Sequence, residues 1–328
     1  MRRLIQRACA VALLLGLAAC GNQKAGEGLQ TFQPQQPLTI VVTFPPGGGT
    51  DWLARKLGAE LQQQLGVPVV VDNKPGASGN IGAKIVADAK PDGHTLLMVN
   101  SSFAINPGVF SKLEFDPRKD FAGVMNVGFV PSVIVVPADS AWQNLAQVLA
   151  AAQQQEPVPF ASCGNGTPQH LAGEMLAQAR QVPLQQVPYK GCGPALAAVA
   201  GSQVPMAIIT ASSAAPLVQS GKLRALAVTS PQRSPLLPGV ATVAEQGVPD
   251  FAVDQWHGLL APVATPAVTV QQLNRALREV LRKPEVAQAI AAQGFAMDGG
   301  SAEDFQRMVL SDIERYAQVT QAIGLKID

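Results

Sequence analysis

Aromatic residues make up only 5% of this 328-residue chain, so a core has to be packed from Ala, Val and Leu. The 47% hydrophobic content is ample for that. Charge is thin as well. With 14% charged residues and a formal net of +1, the chain has no basic surplus to attract nucleic acid. Its three histidines show no metal-ligand spacing, its four cysteines include no C-x-x-C, and no G-x-S-x-G nucleophile elbow occurs. These absences remove the usual signatures of metal, dithiol and serine chemistry, and neither a cofactor nor a metal is expected. Beyond Cys20 no stretch is apolar for long enough to cross a membrane.

The N-terminus is different. Arg2, Arg3 and Arg7 precede an apolar run over 8–19, which reads as a secretory signal peptide rather than a membrane span. Its end, L-A-A-C-G, resembles a bacterial lipobox, which implies cleavage before Cys20 and lipid attachment to that sulfur. Residues 20–36 are polar, rich in Gly, Gln and Pro, and read as a flexible tether. Without residues 1–19, which hold three arginines and no acid, the formal charge becomes −2. The remaining 309 or so residues suggest about two domains.

The chain is organised around residues 38–54, LTIVVTFPPGGGTDWLA. A buried strand (Leu38, Ile40, Val41, Val42) runs into Pro45-Pro46 and the glycines Gly47, Gly48 and Gly49. A helix is expected to open at Thr50 or Asp51, both good N-cap types, with Leu53, Leu57, Leu61 and Leu65 on one face. A glycine loop feeding a helix N-terminus favours an anion through unpaired N–H groups and the helix dipole. A P-loop would need Lys after the glycines, where Thr50-Asp51 stands, and G-x-G-x-x-G fails at Trp52. Asp51 would also oppose a doubly charged phosphate. A single carboxylate fits better, unless the loop is only a turn.

Downstream, strands and helices alternate, which implies an α/β fold with mainly parallel sheets. Strands are expected at 67–71, 95–99, 122–127, 132–136, 158–162, 204–209 and 223–228. Helices are expected at 81–89, 141–152, 168–179, 194–200, 266–282, 284–293 and 302–322, with an extended run at 251–261. Asn100-Ser101-Ser102 closes one strand at its carboxyl end, where open α/β sheets bind ligands. The loop Cys163-Gly164-Asn165-Gly166-Thr167 echoes the first glycine loop about 117 residues later, so each half offers one anion cup. Two lobes with matching cups suggest a ligand clamped between them. Cys163 and Cys192 lie in glycine-rich loops; in an exported chain they read as a disulfide, with two free thiols as the alternative.

Many segments taken in order resemble one family: PPGGGTD, NKPGASGNIGA, PDGHTLL, DPRKDF, SCGNGTPQHLAGE, VPYKG, GKLRALAVTS and W-x-G-L-L-A-P. The chain resembles Bug-type periplasmic receptors of tripartite tricarboxylate transporters from about Pro37 to its C-terminus. The resemblance implies a type II periplasmic-binding-protein fold of two α/β lobes joined by two hinge strands. Lobe one would be 37–136 plus 254–328 and lobe two 137–253. It implies a small organic acid in the cleft, transporter membrane subunits as partners, a lipid-anchored place in the periplasm or cell envelope, and a monomer. The first cup would use Gly47, Gly48, Gly49, Thr50 and Asp51, with Ser101 and Ser102 nearby; Asp51 fits a helix cap better than a ligand contact. The second would use Gly164, Asn165, Gly166 and Thr167, with His170 behind and Tyr189 and Lys190 on the rim.

The chain departs from the pattern at Thr210, near the end of a strand where many members carry an aspartate that receives a ligand ammonium. That argues for an acid without an amino group. Two rival functions remain: a ligand sensor for a signalling kinase, and an anchored hydrolase or thiol enzyme using Ser101, Cys163 or His170.

Overall fold

The computed structural model describes residues 34–154 and 157–327. The signal peptide, the Cys20 lipid site and most of the tether lie outside the described residues. The run LTIVV forms β1 (Leu38–Val42), of which only Thr39 is not fully buried, as in a strand covered on both faces. α1 (Gly49–Leu65) leads to β2 (Val69–Asn73), and a short 3-10 turn (Ala77–Gly79) with α2 (Asn80–Ala87) leads to β3 (Thr95–Asn100). β1 pairs in parallel with both β2 and β3. α3 (Ser102–Val109) then precedes β4 (Phe121–Pro137), a strand of 17 residues.

A second parallel unit follows α4 (Leu145–Gln154). It comprises β5 (Val158–Ser162), α5 (Pro168–Arg180), β6 (Leu184–Pro188), α6 (Cys192–Ala200) and β7 (Met206–Thr210). β5 pairs in parallel with β6 and β7. After α7 (Ala211–Gln219) and β8 (Leu223–Val228), the chain returns through β9 (Asp254–Pro262). α8 (Ala267–Leu281), α9 (Pro284–Ala292), β10 (Ala296–Met297) and α10 (Ala302–Ala322) complete it.

β4 joins the two units. From Phe121 to Pro131 it runs antiparallel to β9; from Ser132 onward it runs antiparallel to β7 and β8. The strand order is β2-β1-β3-β9-β4-β7-β5-β6, with β8 and β10 also on β4. The sheet is therefore mixed: parallel in each unit and antiparallel along the strands that connect them. α10 buries Phe305, Val309, Ile313 and Tyr316 against α3 and β4, at the three-and-four spacing of one helix face.

Several expectations need correction. The strands at 122–127 and 132–136 are one, carried past Gly128 and Pro131 by register shifts near Gly123 and Asn126. α3 and α7 were not anticipated, because Pro107 and Pro216 sit inside them. β6 falls between the helices expected at 168–179 and 194–200, where no strand is expected. The first helix opens earlier than Thr50, with Gly48 as its N-cap.

Candidate functional site

The two glycine loops are built alike. α1 starts after Gly48 and α5 after Thr167, each in extended conformation at the cap. In both helices the third residue reaches back to the amide just before the cap. Gly47 N–H donates to Asp51 Oδ2 at 2.9 Å, and Gly166 N–H donates to His170 Nδ1 at 3.2 Å. The caps place the repeat at 119 residues rather than about 117, so Asp51 matches His170. Each bond pairs the loop amide that precedes the cap and fixes the loop to its helix.

Asp51 is consequently a brace. Its carboxylate also accepts from Asn73 Nδ2 at 2.9 Å and Arg55 Nε at 3.1 Å. Burial pushes its pKa up, but the bonds from Arg55, Gly47 and Asn73 together hold it below the usual range. Asn73 donates as well to Phe44 O at 3.0 Å, tying β2 to the first loop. On the other side, Thr167 Oγ1 donates to Gly164 O at 2.7 Å and accepts from His170 N–H at 3.4 Å. With Nδ1 accepting, the His170 proton sits on Nε2, which faces Glu174 Oε1 at 3.5 Å. The Gly47 and Gly166 amides are thus engaged within their own loops. The Gly48–Thr50 backbone keeps the first amides of α1, which no helical carbonyl can reach.

Cys163 and Cys192 form a disulfide. It joins the end of β5 to the start of α6, and Gly191 N–H donates to Cys163 O at 3.1 Å beside it. A thiol mechanism at Cys163 is therefore contradicted: its sulfur is bonded, and His170 Nδ1, which could have served as a base, already accepts from an amide.

These loops surround a cavity of about 520 Å³. Its walls are residues 43–45 of the first loop, 75–79 after β2, Phe110, and the paired loops 163–165 and 188–191. Gly164, Asn165, Tyr189 and Lys190 line it. Gly47, Gly48, Gly49, Thr50, Asp51, Ser101, Ser102, Gly166, Thr167, His170 and Thr210 do not. Ser101 and Ser102 are buried at the end of β3, and their hydroxyls have no hydrogen-bond partner. Thr210 Oγ1 lies 2.8 Å from Ser213 Oγ.

Gly166 stands elsewhere because of a close approach: a Cβ there would come within 2.8 Å of Asn106 Oδ1, and its φ is +67°. Across the cavity, Ser78 Oγ donates to Asn165 O. Asn106 Nδ2 steadies that contact by donating to Ser78 O at 3.0 Å.

The loop at 75–79 shows in the sequence only as a glycine-rich stretch. Its signal was there: NKPGASGN combines Pro, Gly, Ser and Asn ahead of a helix. Its conformation was not, since Ala77 and Ser78 both take positive φ, at 45° and 54°. Such strain in residues other than glycine collects at ligand sites.

A mixed α/β sheet crossed by two long strands, with its cavity among loops at strand ends, is the architecture of periplasmic solute-binding proteins. Residues 53–325 match the family described as "Tripartite tricarboxylate transporter family receptor", and the chain belongs to it. A Pseudomonas protein from the tcbD-tcbE intergenic region is 36% identical over 307 residues, 93% of this chain and 91% of that one. Protein BugT of Bordetella pertussis is 34% identical over 297 residues, covering 90% and 91%. Among solved structures, R. palustris Rpa4515 with adipate has a TM-score of 0.85 at 32% identity, over 90% of this chain and 99% of that one. MatC from Rhodopseudomonas palustris with bound malate gives 0.82 at 30%, covering 87% and 99%. Among the described residues no helix is long and apolar enough to cross a membrane. The family's members are receptors rather than enzymes.

Proposed function

We propose that this chain captures a small organic acid in the 520 Å³ cavity and delivers it to the membrane subunits of a tripartite transporter. The observation that carries this reading is the lining. It offers loop backbone, the Asn165 amide and one cation, Lys190, and it contains no acidic side chain. Lys190 has no acidic partner among the described residues. The adipate and malate held by the two relatives support the same class of ligand.

In this reading 37–136 with 254–328 forms one lobe and 137–253 the other, with β4 and β9 as the hinge. The Ser78–Asn165 contact ties the two lobes together beside the cavity, while the starts of α1 and α5 lie off its wall and add little toward an anion. Affinity therefore comes from several donors and closure together. Cys20, lipid-modified after signal-peptide removal, keeps a monomeric receptor at the membrane and near its transporter.

Thermal denaturation of the mature chain tests this, after unfolding and refolding to strip bound ligand. An acid lacking an amino group, at about 100 times its Kd, stabilises by roughly 2.7 kcal/mol, a shift of a few degrees. No shift with any mono-, di- or tricarboxylate contradicts the reading. A shift with amino acids alone keeps the receptor and overturns the argument from Thr210.

A further inference from the structure

The cavity walls carry more information than their charge. In a chain with 5% aromatic residues and two tyrosines, the rings of Phe44, Phe110 and Tyr189 meet at this one cavity. All three stay part-exposed, although a buried core is where scarce rings give most. Three prolines, Pro45, Pro75 and Pro188, line the same cavity. Proline rings and aromatic faces make flat, rigid, apolar walls that lose little entropy on binding.

A short dicarboxylate such as malate is polar along its whole length and gains nothing from such walls. Its second charge would also meet no second cation, because Lys190 is the one charged side chain in the lining. Resting on the receptor reading above, we infer that the preferred ligand is a monocarboxylate with a flat apolar body, an aryl acid in the simplest case. The ring lies among Phe44, Phe110 and Tyr189, and the carboxylate meets Lys190 and the backbone of the 163–165 and 188–191 loops. An ammonium beside the carboxylate is disfavoured, since no acid faces it.

The test is calorimetric titration of the refolded mature chain with benzoate, 3-phenylpropionate, adipate, malate and phenylalanine. An aryl acid binds most tightly, and phenylalanine binds more weakly than 3-phenylpropionate. Tyr189→Ala weakens the aryl acid about tenfold, the usual worth of one ring contact with its buried area, and changes malate far less. Lys190→Gln weakens every acid. Phe44→Ala, in a different loop, repeats the Tyr189 result should Tyr189→Ala fail to fold. Tighter binding of malate or adipate than of either aryl acid, lost in Lys190→Gln, overturns the apolar-body inference and leaves the receptor reading standing. Binding of none of the five at millimolar concentration overturns this inference, and the receptor reading falls with it when tricarboxylates also fail to bind.

Discussion

At the scale of single residues, Asp254 and His257, three apart on β9, are two side chains whose acidity burial alters strongly. Asp254 is largely buried with Oδ1 unpartnered, and burial drives its pKa to about 6 despite the nearby Arg315. Asp312 and Tyr316 of α10 also face it: Asp312 is held by Trp256 Nε1 at 2.8 Å and by Arg315 at 2.9 Å. His257 is fully buried against Phe295, and burial lowers its pKa to about 3 although it donates to the Gln255 carbonyl. The signs oppose each other. Asp254 has a raised folded pKa, so its contribution is present below about pH 4 and lost as pH rises through 6. His257 has a lowered one, so its contribution is present above about pH 6.5 and lost as pH falls toward 3. Between pH 4 and 6 they nearly cancel. Asp254→Asn should make melting temperature rise with pH across that window and add on the order of 2 kcal/mol at pH 7. His257→Gln should make it fall. Melting curves at half-unit pH steps check this, and slopes parallel to the wild type in both variants would contradict it.

Some residue roles were legible in sequence and some were not. The sequence makes Asp51 a helix cap; the cap is instead Gly48, and Asp51, third in the helix, bonds back to the Gly47 amide. The role of His170 as its counterpart was hidden, since Asp and His share no pattern and only the common cap geometry equates them. Ser101 and Ser102 looked like ligand groups from their place at a strand end. The chain instead turns directly into α3 and buries them, so their hydroxyls lie off the cavity wall.

At the scale of elements, the loops were legible, whereas β4, α3 and α7, interrupted by Pro131, Pro107 and Pro216, were not. Gly and Pro in mid-strand argue for a break, which divided β4 in two; the register shifts that accommodate Gly128 depend on β9 and β10, far away in sequence. Pro107 and Pro216 disguised α3 and α7 in the same way. The Cys163–Cys192 pairing was readable from cysteine number and compartment, and it makes a prediction. The bridge spans 29 residues and joins two loops that line the cavity. Replacing both cysteines by serine should cost about 3 kcal/mol, roughly 5 °C in melting temperature. It should also weaken acid binding several-fold, because the loops must then be ordered when the ligand arrives. An unchanged affinity alongside a lower melting temperature would show that the bridge serves stability alone.

At the scale of the whole molecule, α/β alternation and the order of motifs were enough to anticipate the fold class and family. The mixed character of the sheet was not readable from alternation, because β9 returns after more than a hundred residues to lie between β3 and β4. Two parallel units joined by β4 meet at a cavity beside which Ser78 hydrogen-bonds Asn165, and the proposed receptor function depends on that arrangement. Its most direct test is a crystal structure of the refolded mature chain with its tightest-binding acid. The account predicts the acid inside this cavity, its carboxylate about 2.7–3.1 Å from loop donors at 163–165 or 188–191 or from Lys190 Nζ. An acid bound at full occupancy elsewhere, with this cavity holding only water, would contradict it.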